Sequence, residues 1–185
     1  MNQPADPFAS RGGEKLDAAL RAFGIVPAGC TCADLGCSTG GFTDCLLRHG
    51  AARVFAVDTA YGQLAWKLRQ DQRVTVMERT NALHAEPPEM VELVTIDLGW
   101  TKQDRAVPAA LRWLKPDGRI ITLIKPHYEA GKPDPTDEEA AQITQRVIAG
   151  LPKHGVTVIG QIPSPIRGGK GGNIEYLALL APSGT

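Results

Sequence analysis

The stretch Asp34-Leu35-Gly36-Cys37-Ser38-Thr39-Gly40-Gly41-Phe42 sets glycines between a short apolar segment and an amphipathic one. Glycines at a strand-to-helix turn let a ligand come close to the backbone. The spacing is not the G-x-G-x-x-G of a dinucleotide site. Asp58 follows at the predicted end of the next strand, 24 residues after Asp34. A carboxylate there can accept hydrogen bonds from both hydroxyls of a ribose. Turn and carboxylate together predict a bound nucleoside-containing cofactor. Asp97, Lys125 and Glu175 also stand at or beside predicted strand ends, where α/β sheets carry their sites. Glu175 is the least expected of these, because it begins an apolar, strand-like segment.

The elements that must position these residues alternate. Helical spacing of Leu16, Ala19, Leu20 and Phe23 predicts a helix over 15–23, preceded by Ser10 near an N-cap and stopped by Gly24. Strands are predicted over 30–34, 54–57, 74–77, 93–96, 119–124, 156–159 and 174–180. Helices are predicted over 41–49, 64–68 and 107–114, and within 137–150. The third of these opens near Pro108 and closes at the turn Pro116-Asp117-Gly118. This order implies an α/β fold with a mostly parallel seven-stranded sheet and helices on both faces. The last two strands are joined without a helical period, which predicts one antiparallel strand near that edge. The Pro- and Gly-rich segment 127–136 is predicted to be a mobile substrate loop.

A chain of 185 residues, 43% hydrophobic, suits one globular domain over 10–185 after a flexible tail over 1–9. No apolar run approaches the roughly 20 residues of a membrane span, and the N-terminus has no secretion pattern, so a cytoplasmic location is expected. Lys and Arg balance Asp and Glu at 20 each. Any argument for nucleic acid must therefore rest on local placement. The cysteines Cys30, Cys32, Cys37 and Cys45 lack zinc-site spacing and are read as buried small hydrophobes, with no metal site expected.

The spacing D-x-G-x-x-x-G-G-F over 34–42 resembles the first motif of S-adenosylmethionine enzymes. The chain resembles the FtsJ-like ribose 2′-O-methyltransferases, most closely the TlyA-type rRNA methyltransferase branch. The resemblance is carried by 10–16, 34–47 and 51–81 (with Tyr61-Gly62-Gln63-Leu64 and Glu78-Arg79-Thr80-Asn81), then Ile96-Asp97, 125–131, 163–166 and 172–175. It implies a Rossmann-like S-adenosylmethionine-dependent methyltransferase fold and a Lys-Asp-Lys-Glu tetrad at Lys15, Asp97, Lys125 and Glu175. It implies cofactor contacts from Asp34, Gly36, Ser38, Gly40, Gly41, Phe42, Asp58, Thr80, Asn81, Ala82 and Asp97. The implied partner is RNA, in particular rRNA or a ribosomal particle, and a monomer is favoured. The chain departs from that branch at Gly99-Trp100, His127-Tyr128 and the longer loop 167–172, all near the expected acceptor. It is also too short to include the branch's small N-terminal RNA-binding domain.

In such a site the methyl group is activated by its sulfonium, so alignment of the acceptor oxygen matters most, contributing up to roughly 7–11 kcal/mol. A free lysine, with a pKa of about 10.4, is a poor base at neutral pH. Burial and the charge of Lys15 are expected to lower that of Lys125, the central base, with Asp97 and Glu175 orienting groups around it. Arg11, Arg167 and Lys170 are candidate phosphate contacts, the last two because glycines surround them. Trp100 is placed either to stack on a splayed nucleotide or to plug a core gap. A small-molecule or base-nitrogen acceptor and a non-catalytic binding module remain the competing readings.

Overall fold

The computed structural model describes residues 7–169 and 172–184. Seven strands, β1 (Thr31–Leu35), β2 (Arg53–Val57), β3 (Val74–Met77), β4 (Val91–Ile96), β5 (Leu114–Ile124), β6 (Val156–Pro163) and β7 (Tyr176–Pro182), form one sheet. Their order is β3-β2-β1-β4-β5-β7-β6. Only β7 runs antiparallel to its neighbours, wedged between β5 and β6. The order reverses direction beside β1, so the ends of β1 and β4 open a crevice where such sheets bind ligands.

Alternation along each strand sends side chains to two separate cores. Cys32, Val54, Leu123 and Leu177 meet Leu16 and Leu20 of α1 (Gly12–Phe23) and Leu46 of α2 (Gly41–Arg48). Leu68 of α3 (Trp66–Arg69) joins the same face. Leu35, Phe55, Ile96 and Ile120 meet Val107 of α4 (Gln103–Leu111), Trp113 and Leu151 on the other. Each such side chain, fully buried, stabilises by roughly 1.5–3 kcal/mol. Cys32, Cys37 and Cys45 are buried free thiols, as expected, and Cys30 is half-buried.

Several boundaries differ from the sequence reading. Helix α1 starts at Gly12, because Ser10 Oγ and its carbonyl take the Gly12 and Gly13 amides at 3.3 and 3.0 Å. Phe8 and Ala9, expected in the loose tail, pack on the core, and the Ala9 amide donates to Asp44 Oδ2 at 2.8 Å. Helix α4 begins at Gln103 and holds Pro108 in its interior. The Pro116-Asp117-Gly118 turn survives as an excursion inside β5, where pairing jumps from Val91↔Leu114 to Leu93↔Arg119. The predicted loop 127–136 starts instead within a short helix, α5 (Pro126–Ala130), closed by Gly131. Helix α6 (Asp137–Gly150) opens with a capping box between Thr136 and Glu139.

Candidate active site

Strand register assembles the tetrad. Ile124 pairs with Tyr176 across β5 and β7, which sets Lys125, one residue beyond β5, beside Glu175, one residue before β7. Ile96 pairs with Thr122, so Asp97 arrives from the next strand over. Helix α1 packs on β7 and delivers Lys15, whose Nζ lies 2.5 Å from Glu175 Oε2. Lys125 is ion-paired with Asp97. Lys15 and Glu175 are only 8% and 3% exposed, a depth at which single charges would be costly and opposite ones must pair.

This pairing corrects the expected electrostatics. Burial pulls the Lys125 ammonium down, but the charge and hydrogen bond of Asp97, and then the charge of Glu175, outweigh it. Its pKa is held above the ordinary lysine value. Lys15 is itself paired with Glu175. Loop residue Gly168, next to Arg167, lies against this pair. A Cβ there would fall 2.1 Å from Glu175 Oε1, so only glycine lets the backbone lie against this carboxylate.

Three cavities meet at the tetrad. One, of about 610 Å³, is lined by Gly36, Ser38, Asp58, Thr80, Asn81, Ala82 and Asp97, and extends to Trp100 and Lys125. A second, of about 340 Å³, is lined by Lys15, Arg11, Gly36, Gly41, Phe42 and Asp97. The third, of about 710 Å³, is lined by Lys15, Lys125, Glu175, Trp100, His127 and Tyr128. At the shared wall the strand ends almost touch: Gly36 has φ 93°, and a Cβ on it would be 2.5 Å from the Asp97 carbonyl oxygen. Asp58 accepts the Ser38 and Ala60 amides, one on each oxygen, both at 2.8 Å. Those bonds fix the carboxylate and leave lone pairs on both oxygens.

Two expected cofactor contacts line none of these cavities. Asp34 is fully buried and accepts the hydroxyls of Thr43 and Thr95 at 2.7 and 3.1 Å. Burial pushes its pKa up to about 7. It braces β1, β4 and α2 beneath the turn. Gly40 backs onto α3, where a Cβ would meet Leu68 Cδ1 at 2.2 Å.

Around the third cavity, Trp100 is 86% exposed and therefore plugs no core gap. It adopts φ 56° and stacks on Tyr128 with ring centroids 4.6 Å apart. His127 lies against the same tyrosine at 4.2 Å, and Lys125 Nζ is 5.5 Å from its centroid. Burial, aided by the charge of Lys125 and opposed by Glu175, holds His127 below its ordinary pKa. Sequence reasoning missed what fastens this group. Glu129 of α5 accepts the Gln103 amide at 2.8 Å, and the Gln103 side chain bonds Leu123 O and Thr122 Oγ1 at 3.1 and 2.7 Å. Asn173 donates to Pro133 O at 2.9 Å, joining the two loops that rim the cavity. Of the expected RNA contacts, Arg11 donates to Arg167 O at 3.4 Å, and Arg167 is ion-paired with Asp137 at 2.6 Å. Lys170 lies outside the described residues.

The family model of FtsJ-like methyltransferases matches residues 8–178. YqxC of Bacillus subtilis, described as a candidate rRNA methyltransferase, is 42% identical over 186 residues, covering 94% of this chain and 65% of the relative. The 16S/23S rRNA (cytidine-2′-O)-methyltransferase TlyA of Mycobacterium tuberculosis is 41% identical over 184 residues, covering 94% and 68%. The chain thus spans about two thirds of the length of these relatives. A solved structure described as a candidate hemolysin from Streptococcus thermophilus matches with a TM-score of 0.91 at 36% identity, covering 100% of this chain and 70% of that one.

Proposed function

The chain belongs to the FtsJ-like methyltransferases, and from that premise we propose that it carries a methyl group from S-adenosylmethionine to a ribose 2′-hydroxyl of RNA, with rRNA as the substrate class. The observation that carries this reading is the position of Asp97 and Lys125. They stand where a cavity walled by Asp58 and the glycine turn opens into one walled by Lys15 and Glu175. The first cavity fits the cofactor: its fixed carboxylate suits a ribose diol, and Gly36 keeps side chains out of the narrow passage. Asp58 would hold the ribose, Thr80, Asn81 and Ala82 the adenine, and the 340 Å³ branch with Gly41 and Phe42 the amino-acid end. When bound, the cofactor supplies an electrophilic methyl group on a positively charged sulfur.

The remaining work falls to the chain. The acceptor ribose enters the 710 Å³ cavity, and its hydroxyl meets Lys125. In the free protein Lys125 is an ammonium held by Asp97, suited to donate a hydrogen bond and not to take a proton. A cation held in the neighbouring cavity would share Asp97 with Lys125. The weaker the hold of Asp97, the more burial would favour the neutral amine of Lys125. With its ammonium proton released to solvent, Lys125 Nζ would take the hydroxyl proton as the ribose oxygen gains the methyl group, leaving a neutral thioether. Lys15 and Glu175, paired and buried, hold the far side of the ribose. Trp100 offers the splayed base an exposed ring on which to stack.

The test is transfer of labelled methyl groups to bulk RNA and to ribosomal subunits, followed by nucleoside analysis. Wild-type protein should label a ribose 2′-oxygen, and Lys125→Ala should lose at least about 100-fold in rate while still binding the cofactor. Retained cofactor binding with no label in RNA or particles would overturn the RNA assignment.

A further inference from the structure

A second set of ligating side chains lies between α1 and α2, and methyl transfer makes no use of it. Cys45 and His49 are one helical turn apart and share a face of α2 and its C-cap. Asp17 faces them from α1. One ligand atom from each of the three lies within 4.8 Å of the others. His49 Nε2 is 2.7 Å from Asp17 Oδ1. The other oxygen of Asp17 is held by Arg21 at 2.9 Å. Cys45 is fully buried, points its sulfur at this pair, and has no hydrogen-bond partner among the described residues. A buried thiol, an imidazole and a carboxylate are the three side-chain types zinc selects.

We propose that Asp17, Cys45 and His49 form a binding site for a divalent transition metal of the zinc class, clamping α1 to α2. Tetrahedral ligands at 2.0–2.3 Å from a metal lie roughly 3.3–3.8 Å from one another. The thiol therefore closes by about 1 Å, and the His49–Asp17 hydrogen bond opens slightly. The side chains of His49 and Asp17 are 29% and 22% exposed, which gives a metal its entry path and leaves the fourth position to water. Arg21 orients the carboxylate from outside. Binding converts the Cys45 thiol to a thiolate and releases its proton to solvent. The clamp joins the helix that delivers Lys15 to the helix that follows the glycine turn. Its role is to stiffen the wall of the methyl-transfer site, and its existence does not depend on the identity of the acceptor.

Cobalt and zinc titrations of the metal-free full chain test the proposal. One equivalent of Co²⁺ should produce a thiolate-to-cobalt charge-transfer band that Zn²⁺ abolishes. Zn²⁺ should also raise the melting temperature by several degrees. Cys45→Ser should remove the band, and Cys30→Ser, at the half-buried thiol outside the cluster, should leave it intact. His49→Asn retains every thiol and should weaken Zn²⁺ binding by more than about tenfold, which keeps the test open if Cys45→Ser folds poorly. Absence of the band, its survival in Cys45→Ser, or unchanged Zn²⁺ affinity in His49→Asn would each overturn the site.

Discussion

Asp34 is the residue whose chemistry the sequence left most incomplete. It opens the glycine motif, yet its carboxylate serves Thr43 and Thr95 inside the protein. Its pKa is raised from 3.8 to about 7 by burial, so the folded protein keeps this proton where the unfolded chain has lost it. Stability attributable to Asp34 is therefore complete only well below its unfolded pKa of 3.8, falls as pH rises from there to about 7, and is flat beyond. Asp34→Asn should remove that slope and gain on wild type, by up to a few kcal/mol, on moving from pH 5 to pH 8. Denaturant midpoints of both proteins at the two pH values measure it, and parallel shifts would contradict the assignment. Trp100 makes the complementary case at the surface. A strained, exposed ring stacked on Tyr128 has nothing to hold in the fold, so Trp100→Ala should leave the melting temperature nearly unchanged. A stacked base is worth about 1–3 kcal/mol, and the KM for RNA should accordingly rise between roughly fivefold and 150-fold. The four tetrad residues were named from family resemblance. Their pairing was not legible, because Lys15 and Glu175 stand 160 positions apart and are joined only by the packing of α1 on β7.

At the scale of elements, the sequence announced whatever had a full period to show. All seven strands and the long helices were legible, and so was the antiparallel strand. Helix α5 was not, because five residues complete fewer than two turns and Pro126 reads as a loop residue. Helix α4 was misplaced toward its C-terminus because Pro108, an ordinary helix opener, sits here in the interior. The physical link between these two helices is the bond from the Gln103 amide to Glu129. It satisfies a donor that α4 would otherwise leave open. Glu129→Ala should cost about 1–3 kcal/mol and speed hydrogen exchange at the Tyr128, Glu129 and Gly131 amides, whose bonds close α5. Glu129→Gln retains an acceptor oxygen and should restore most of the protection. If both variants exchange like wild type, α5 is held by packing alone.

For the whole molecule the decisive quantity is charge. Lys plus Arg and Asp plus Glu are equal at 20, and many of the basic groups are already paired: Arg48 and Lys67 with Asp44, Arg69 with Glu78, Arg73 with Asp71, Arg167 with Asp137. A surface so neutralised can release few counterions from RNA. Each phosphate contact on a single strand contributes roughly −0.7 to the slope of log affinity against log salt. The chain should therefore bind naked RNA weakly, with a slope shallower than about −2. The Arg167–Asp137 pair is exposed and ties the loop that packs against Glu175 to the start of α6, so breaking it frees a guanidinium beside the cavity lined by Lys125 and Glu175. Asp137→Asn should tighten RNA binding at low salt and steepen the slope by roughly 0.7, one phosphate contact. Arg167→Ala added to Asp137→Asn should cancel that gain. Equal slopes in wild type and both variants would mean that phosphate is gripped elsewhere. A steep wild-type slope would mean that local placement of the basic residues overcomes the neutral sum.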